Sequence, residues 1–170
     1  MNLKDSGFTK KEISAIKRLN SPKKVQGFIN KLKINFEENG DTCLSPRLVL
    51  KEKKAHCIEA ALLAAAILRF HGYPPIILDL ESTSRDFDHV IFLFKSRKHW
   101  GAISKSNHTS IRYREPIYRT IRELVMSYFH EYFLDNGKKT LRSYSNPVNL
   151  EKFDKFNWMT SDENVWFIPE

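Results

Sequence analysis

The chain is poor in the residues that most often announce a chemistry. It carries two cysteines, Cys43 and Cys57, in 170 residues, too few for the disulfide framework of a small secreted domain. In a reducing compartment both are free thiols. Its six glycines form no cluster, so the glycine-rich loop that cradles nucleotide phosphates is absent. His130-Glu131 begins like the helical zinc signature, but Leu134 stands where the second histidine is required, which excludes a zinc protease of that pattern. No metal or other cofactor is expected. The longest apolar run, Ala60 to Leu68, is too short to cross a bilayer. The first residues, MNLKDSGFTKK, lack the apolar stretch of a secretory signal. The expected location is therefore the cytoplasm, with no membrane partner. Internal repeats and low-complexity segments are also lacking.

What is present fits one globular domain spanning 1–170. Hydrophobic residues at 41% and aromatics at 12% supply a core, and the length suits a single one. The formal net charge of +8, from 28 Lys and Arg against 20 Asp and Glu, favours anionic partners. The basic residues come in short groups such as Lys10-Lys11, Lys23-Lys24 and Lys51 to Lys54. That pattern reads as a solvated basic face open to an acidic partner; nucleic acid rests on charge alone and is not favoured.

Thr9-Lys10-Lys11-Glu12 has capping-box spacing, and Ile13, Ile16 and Leu19 recur on one face, so a first helix is expected from about Thr9 to Leu19. Ser21-Pro22 opens a second, whose stripe of Val25, Phe28, Ile29, Leu32 and Phe36 runs toward Asn39-Gly40. These helices make an N-terminal layer over 1–40. Asp41 to Lys54 reads as a loop. A nearly all-apolar central helix follows from His56-Cys57 to Leu68, stopped by Gly72. Tyr73-Pro74-Pro75 then turns the chain into a buried strand, Ile76 to Leu80. An antiparallel pair is expected at Asp88 to Lys95 and His99 to Ser104, with Ser96-Arg97-Lys98 as the turn. From Pro116 the spacing predicts a long amphipathic helix reaching Asn136-Gly137, and the C-terminal region 116–170 closes with a tail. Trp158, Trp166, Phe167 and Ile168 are expected to pack that tail onto the domain as a final strand or a clasp. Trp100 is expected to pack against the central helix.

Cys57 opens a buried helix, where backbone N–H groups and the helix dipole favour a thiolate. A nucleophilic thiol needs a base, and imidazole suits that role near neutral pH. Of six histidines, His89 starts a strand that can hold its ring rigidly, whereas His71 lies at the far end of the helix. His56 is adjacent to Cys57, but neighbours on a helix diverge, so it adds polarity without easily reaching the sulfur. His99, His108 and His130 read as surface or packing residues.

The order of Cys57 at a helix head, Gly72-Tyr73-Pro74, a strand, Asp88-His89-Val90 and then Trp100-Gly101-Ala102-Ile103-Ser104 resembles transglutaminase-like domains over roughly residues 54–107. The resemblance implies an α+β, papain-like fold with a cysteine-bearing helix packed on an antiparallel sheet. It also implies a Cys-His-Asp triad that attacks amide or ester carbonyls through a thioester. By motif, Cys57 is the nucleophile and His89 the base. The family's acid position on the following strand is Ser104 here. Asn107, just past the strand end, is the candidate third member, since an amide oxygen can orient an imidazole; Ser104, or a water, is the alternative. The expected function is thiol-dependent acyl transfer by a hydrolase, peptidase or transamidase acting on a protein, peptide or small amide or ester. The alternative is a non-catalytic binding module on the same fold, for acidic proteins or nucleic acid.

Overall fold

Thr9 accepts a hydrogen bond from the Glu12 backbone, and the Glu12 carboxylate accepts one back from Thr9 N at 2.6 Å. This reciprocal cap starts helix α1, Lys10–Arg18, as expected. The computed structural model of the protein describes residue 3 and residues 6–169. Ser21 caps α2 (Pro22–Lys31), which buries Val25 and Ile29.

This helix stops well short of Asn39. Leu32 turns extended, and Lys33–Ile34 form strand β1, paired in parallel with β2 (Lys54–Ala55). The end of α2 is fixed by a distant residue: Lys105 Nζ donates to the carbonyls of Ile29 (3.1 Å) and Leu32 (2.7 Å). The Ile29 carbonyl also accepts from Leu32 N at 3.1 Å, and the lysine adds a second donor at this helix end, closing it one turn before the apolar stripe ends. Phe36, counted in that stripe, is left 68% exposed.

The expected loop before the central helix contains a further helix, α3 (Pro46–Glu52). Ser45 caps it by accepting from Leu48 N, and Pro46 occupies the first turn, the same Ser-Pro start as α2. The central helix, α4, runs Cys57–Arg69, with Ala60 through Leu68 all buried.

Strands β3 (Ile76–Ser82), β4 (His89–Ser96), β5 (His99–Ile103), β6 (Arg114–Tyr118) and β7 (Leu141–Tyr144) form an antiparallel sheet in the order β6-β5-β4-β3-β7. A short β8 (Val148–Asn149) pairs with the start of β3. Helix α4 covers one face, against Ile77, Phe92, Phe94 and Ile103. Helix α5 (Ile121–Phe129) covers the other, against Leu78, Leu80, Ile91 and Leu93. Coverage on both faces explains the almost continuous apolar runs of β3 and β4. The architecture is α+β.

Three expectations fail on the α5 side. The helix ends at Phe129, short of Asn136-Gly137. Residues 114–118 are an edge strand, where Pro116 is tolerated because no hydrogen bond is required of it, and the helix begins only after Thr120, whose side chain caps Glu123 N. Trp100 packs with the α5 cluster, not against the central helix, and Lys95 Nζ lies 4.3 Å from its ring centre. Its neighbour Gly101 is required by close approach: a Cβ there would meet the Phe94 ring at 2.5 Å and the Arg114 carbonyl at 2.8 Å. The tail clasps the α4 side as expected. Trp158 is fully buried and donates to Asp154, which Arg69 of α4 grips with two 2.6 Å bonds; Trp166 remains exposed.

Candidate active site around Cys57

The site is built where the β1–β2 bridge meets the head of α4. Asn35 N donates to Ala55 O at 3.1 Å, which holds the segment after β1 beside the residue pair His56-Cys57. Asn35 Nδ2 in turn reaches both oxygens of Glu59 at 3.1 Å. Glu59, with no exposed surface, also accepts from Thr42 Oγ1 (2.7 Å), Leu44 N (2.9 Å) and His56 N (2.9 Å). A buried carboxylate is tolerated only when its charge is met in this way. Burial pushes its pKa up, but the His56 hydrogen bond and charge, the Leu44 N–H and Asn35 outweigh that and hold Glu59 at about 2.

The His56 ring spans from this carboxylate to the thiol. Nε2 lies 2.9 Å from Thr42 O, 3.3 Å from Glu59 Oε1 and 3.5 Å from Glu37 Oε1. Three oxygen acceptors require that Nε2 carry a proton. Nδ1 lies 4.0 Å from Cys57 Sγ. Divergence of helical neighbours does not apply to this pair, because His56 is the N-cap and has extended backbone, φ −99° and ψ −166°. Burial lowers the imidazole's pKa, but Cys57 and Glu59 raise it to about 11. Burial likewise raises the Cys57 thiol, yet the hydrogen bonds of His56 and His89, the charge of His89 and the Val90 backbone N–H bring it down to about 5. Near neutral pH the pair is thiolate and imidazolium, with Glu59 behind the imidazolium.

His89 opens β4 opposite Leu80 and is 5% exposed. Its Nε2 is buried and has no hydrogen-bond partner. A second unpartnered atom, Asp79 Oδ1, lies on β3 opposite Val90. Burial, then the charges of Asp88 and Cys57, push Asp79 up to about 6, while His89 pulls it the other way.

His56, Cys57, His89 and Asn107 all line one cleft of about 350 Å³. Asn107 is exposed on its wall. Ser104 is fully buried, its Oγ within 2.9 Å of Ile111 O and 2.5 Å of Arg112 O. Neither residue holds His89 Nε2. Among the described residues no group of three or more His, Cys, Asp or Glu side chains is placed to hold a metal, and no helix is long and apolar enough to cross a membrane.

Sequence reasoning passed over Glu59, Asp79 and the reach of His56. The signal for the first was present: Glu three residues after an N-cap is the capping-box position, already used for Thr9 and Glu12. Asp79, a lone acid inside an apolar strand, was a second such signal. No protein-family model matches the chain, and no curated protein sequence is significantly similar to it.

Proposed function

We propose that the chain is a thiol-dependent acyl-transfer enzyme, a cytoplasmic hydrolase or acyltransferase of the transglutaminase-like type, with Cys57 as nucleophile. The observation that carries this reading is the Cys57 sulfur at a helix head, 4.0 Å from an imidazole whose other nitrogen is backed by Glu59, opening on a cleft. A cysteine serving only as packing needs none of these groups.

In this reading the thiolate attacks an amide or ester carbonyl carbon, forming a C–S bond while the electron pair moves to oxygen. N–H groups at the head of α4 receive the oxyanion. Collapse breaks the C–N or C–O bond, and the leaving group takes a proton from an imidazolium. The thioester is then cleaved by water or an amine, with an imidazole accepting the proton. His56 stabilises the resting thiolate, and His89, whose hydrogen bond and charge also lower the thiol, is the second imidazole of the site. Asn107, exposed on the wall, is placed to touch the acyl donor.

The test is p-nitrophenyl acetate. A burst of p-nitrophenol and a mass increase of one acetyl on Cys57 are expected, both lost in Cys57→Ala. Absence of acetylated Cys57 at any pH between 6 and 9 refutes the reading and leaves the binding-module alternative.

A further inference from the structure

We infer that the Cys57 cleft selects an acyl donor that carries a cation beside a bulky apolar group, the chemistry of a lysine- or arginine-containing apolar peptide segment. This rests on the acyl-transfer reading and names its substrate class.

Three exposed aromatic rings stand together on the rim. Phe87 is 89% exposed, Phe36 68% and Phe133 48%, and all three border this cleft. Large apolar side chains exposed together around one concavity mark a place where something apolar docks. Acids accompany them in the chain: Asp86 and Asp88 flank Phe87, and Glu131 stands two residues before Phe133. Among the described residues none of these three carboxylates forms a salt bridge. On a chain of net charge +8, this is a local reversal of sign.

The cations nearby are occupied. His56 is paired with Glu37 and Glu59, Lys105 caps the end of α2, and Lys139 Nζ lies over Phe133, 4.4 Å from the ring centre, while donating to His130 O. That lysine shows the rim binding a cation through both ring and oxygen. Inside the cleft, His89 is 5% exposed, and its buried Nε2 has no hydrogen-bond partner. The rings of Phe36 and Phe87, and carboxylates outside any salt bridge, are complementary to an ammonium or guanidinium on an apolar stem.

The thiol itself reports the local field. Native protein is treated with 2-(trimethylammonium)ethyl methanethiosulfonate or with the 2-sulfonatoethyl reagent. In each case thiolate attacks the sulfenyl sulfur, forms a mixed disulfide and releases methanesulfinate. The cation-to-anion rate ratio at Cys57, divided by that of a free thiol in the same buffer, is expected to be roughly tenfold or more at low salt. It should fall several-fold in Asp88→Asn/Glu131→Gln. A fluorescein-labelled Phe-Lys-Gly-Phe-Lys peptide should bind Cys57→Ala more tightly than Phe-Glu-Gly-Phe-Glu, and Phe87→Ala should weaken it. A ratio at or below one, or no preference between the peptides, overturns the inference. Acetyl-enzyme formation is measured separately: loss of acetylation with the cation preference intact sinks only the acyl-transfer reading, and the reverse result sinks only this one.

Discussion

The two cysteines are both tied to one carboxylate, Glu59, and are driven in opposite directions. Cys43 is fully buried, and burial followed by the charge of Glu59 pushes its thiol up to about 12. Cys57 has His56 between it and Glu59, and its thiol falls to about 5. Burial, reinforced by that negative charge, silences one sulfur, and an imidazolium backed by the same charge activates the other. What separates a packing cysteine from a nucleophile here is an interposed proton carrier, not helix position alone.

The sharpest way to break this comparison is differential alkylation. At pH 7 Cys57 should react with iodoacetamide roughly a hundredfold faster than Cys43 in native protein, given the thiolate fractions and the lower intrinsic nucleophilicity of an acidic thiol. Mass mapping reads the ratio. Comparable labelling would mean that the two environments do not differ as described.

Glu59→Gln removes the shared charge. Breaking one side of a buried ion pair costs about 3 kcal/mol, so denaturant unfolding at pH 7 should show a loss of that order, with slower Cys57 alkylation. The sign with pH is fixed by the depressed carboxylate. Its contribution is present above the unfolded value of about 4.3 and is lost as pH falls toward 2. Wild type should therefore lose stability over that window by more than the variant does.

Asp79 gives the opposite sign. Its carboxyl is raised to about 6, so the folded state holds the proton more tightly and stability falls as pH rises from about 4 through 6. Asp79→Asn should stabilise the protein by on the order of 2 kcal/mol at pH 8 and hardly at all at pH 4. Equal effects at both pH values would show that the carboxylate is not strained in the fold.

The smallest effects separate the two candidate third members. Asn107→Ala, at an exposed position, should change stability by less than about 0.5 kcal/mol. Ser104→Ala should cost about 1 kcal/mol through its lost carbonyl contact and leave Cys57 alkylation unchanged. A slower thiol in Ser104→Ala would contradict the burial of that hydroxyl among the carbonyls of Ile111 and Arg112.

The parts of the fold that could be read from sequence are those whose signals are local. The α1 cap, the all-apolar α4, the β4–β5 turn and the burial of Trp158 needed only neighbouring residues. The end of α2 was hidden because Lys105 closes it from far along the chain. The strand at 114–118 was hidden because an edge strand containing Pro116 carries the same apolar spacing as a helix start. At the site, Cys57 and His89 were legible as a helix-head thiol and a strand imidazole. His56 was set aside by a rule for helical neighbours that does not hold at an N-cap, and Glu59 went unread although its spacing from His56 is that of a capping box.

The central claim is that Cys57 rests as a thiolate against the His56 imidazolium. It is tested most directly by the pH dependence of Cys57 alkylation in wild type, His56→Asn and His89→Asn. The account predicts a wild-type rate that is flat from pH 6 to 9 and falls only as pH approaches about 5. In His56→Asn the midpoint should move up toward the ordinary cysteine value of about 8.5, and further than in His89→Asn. A wild-type midpoint already near that ordinary value, or one that only His89→Asn displaces, would contradict it.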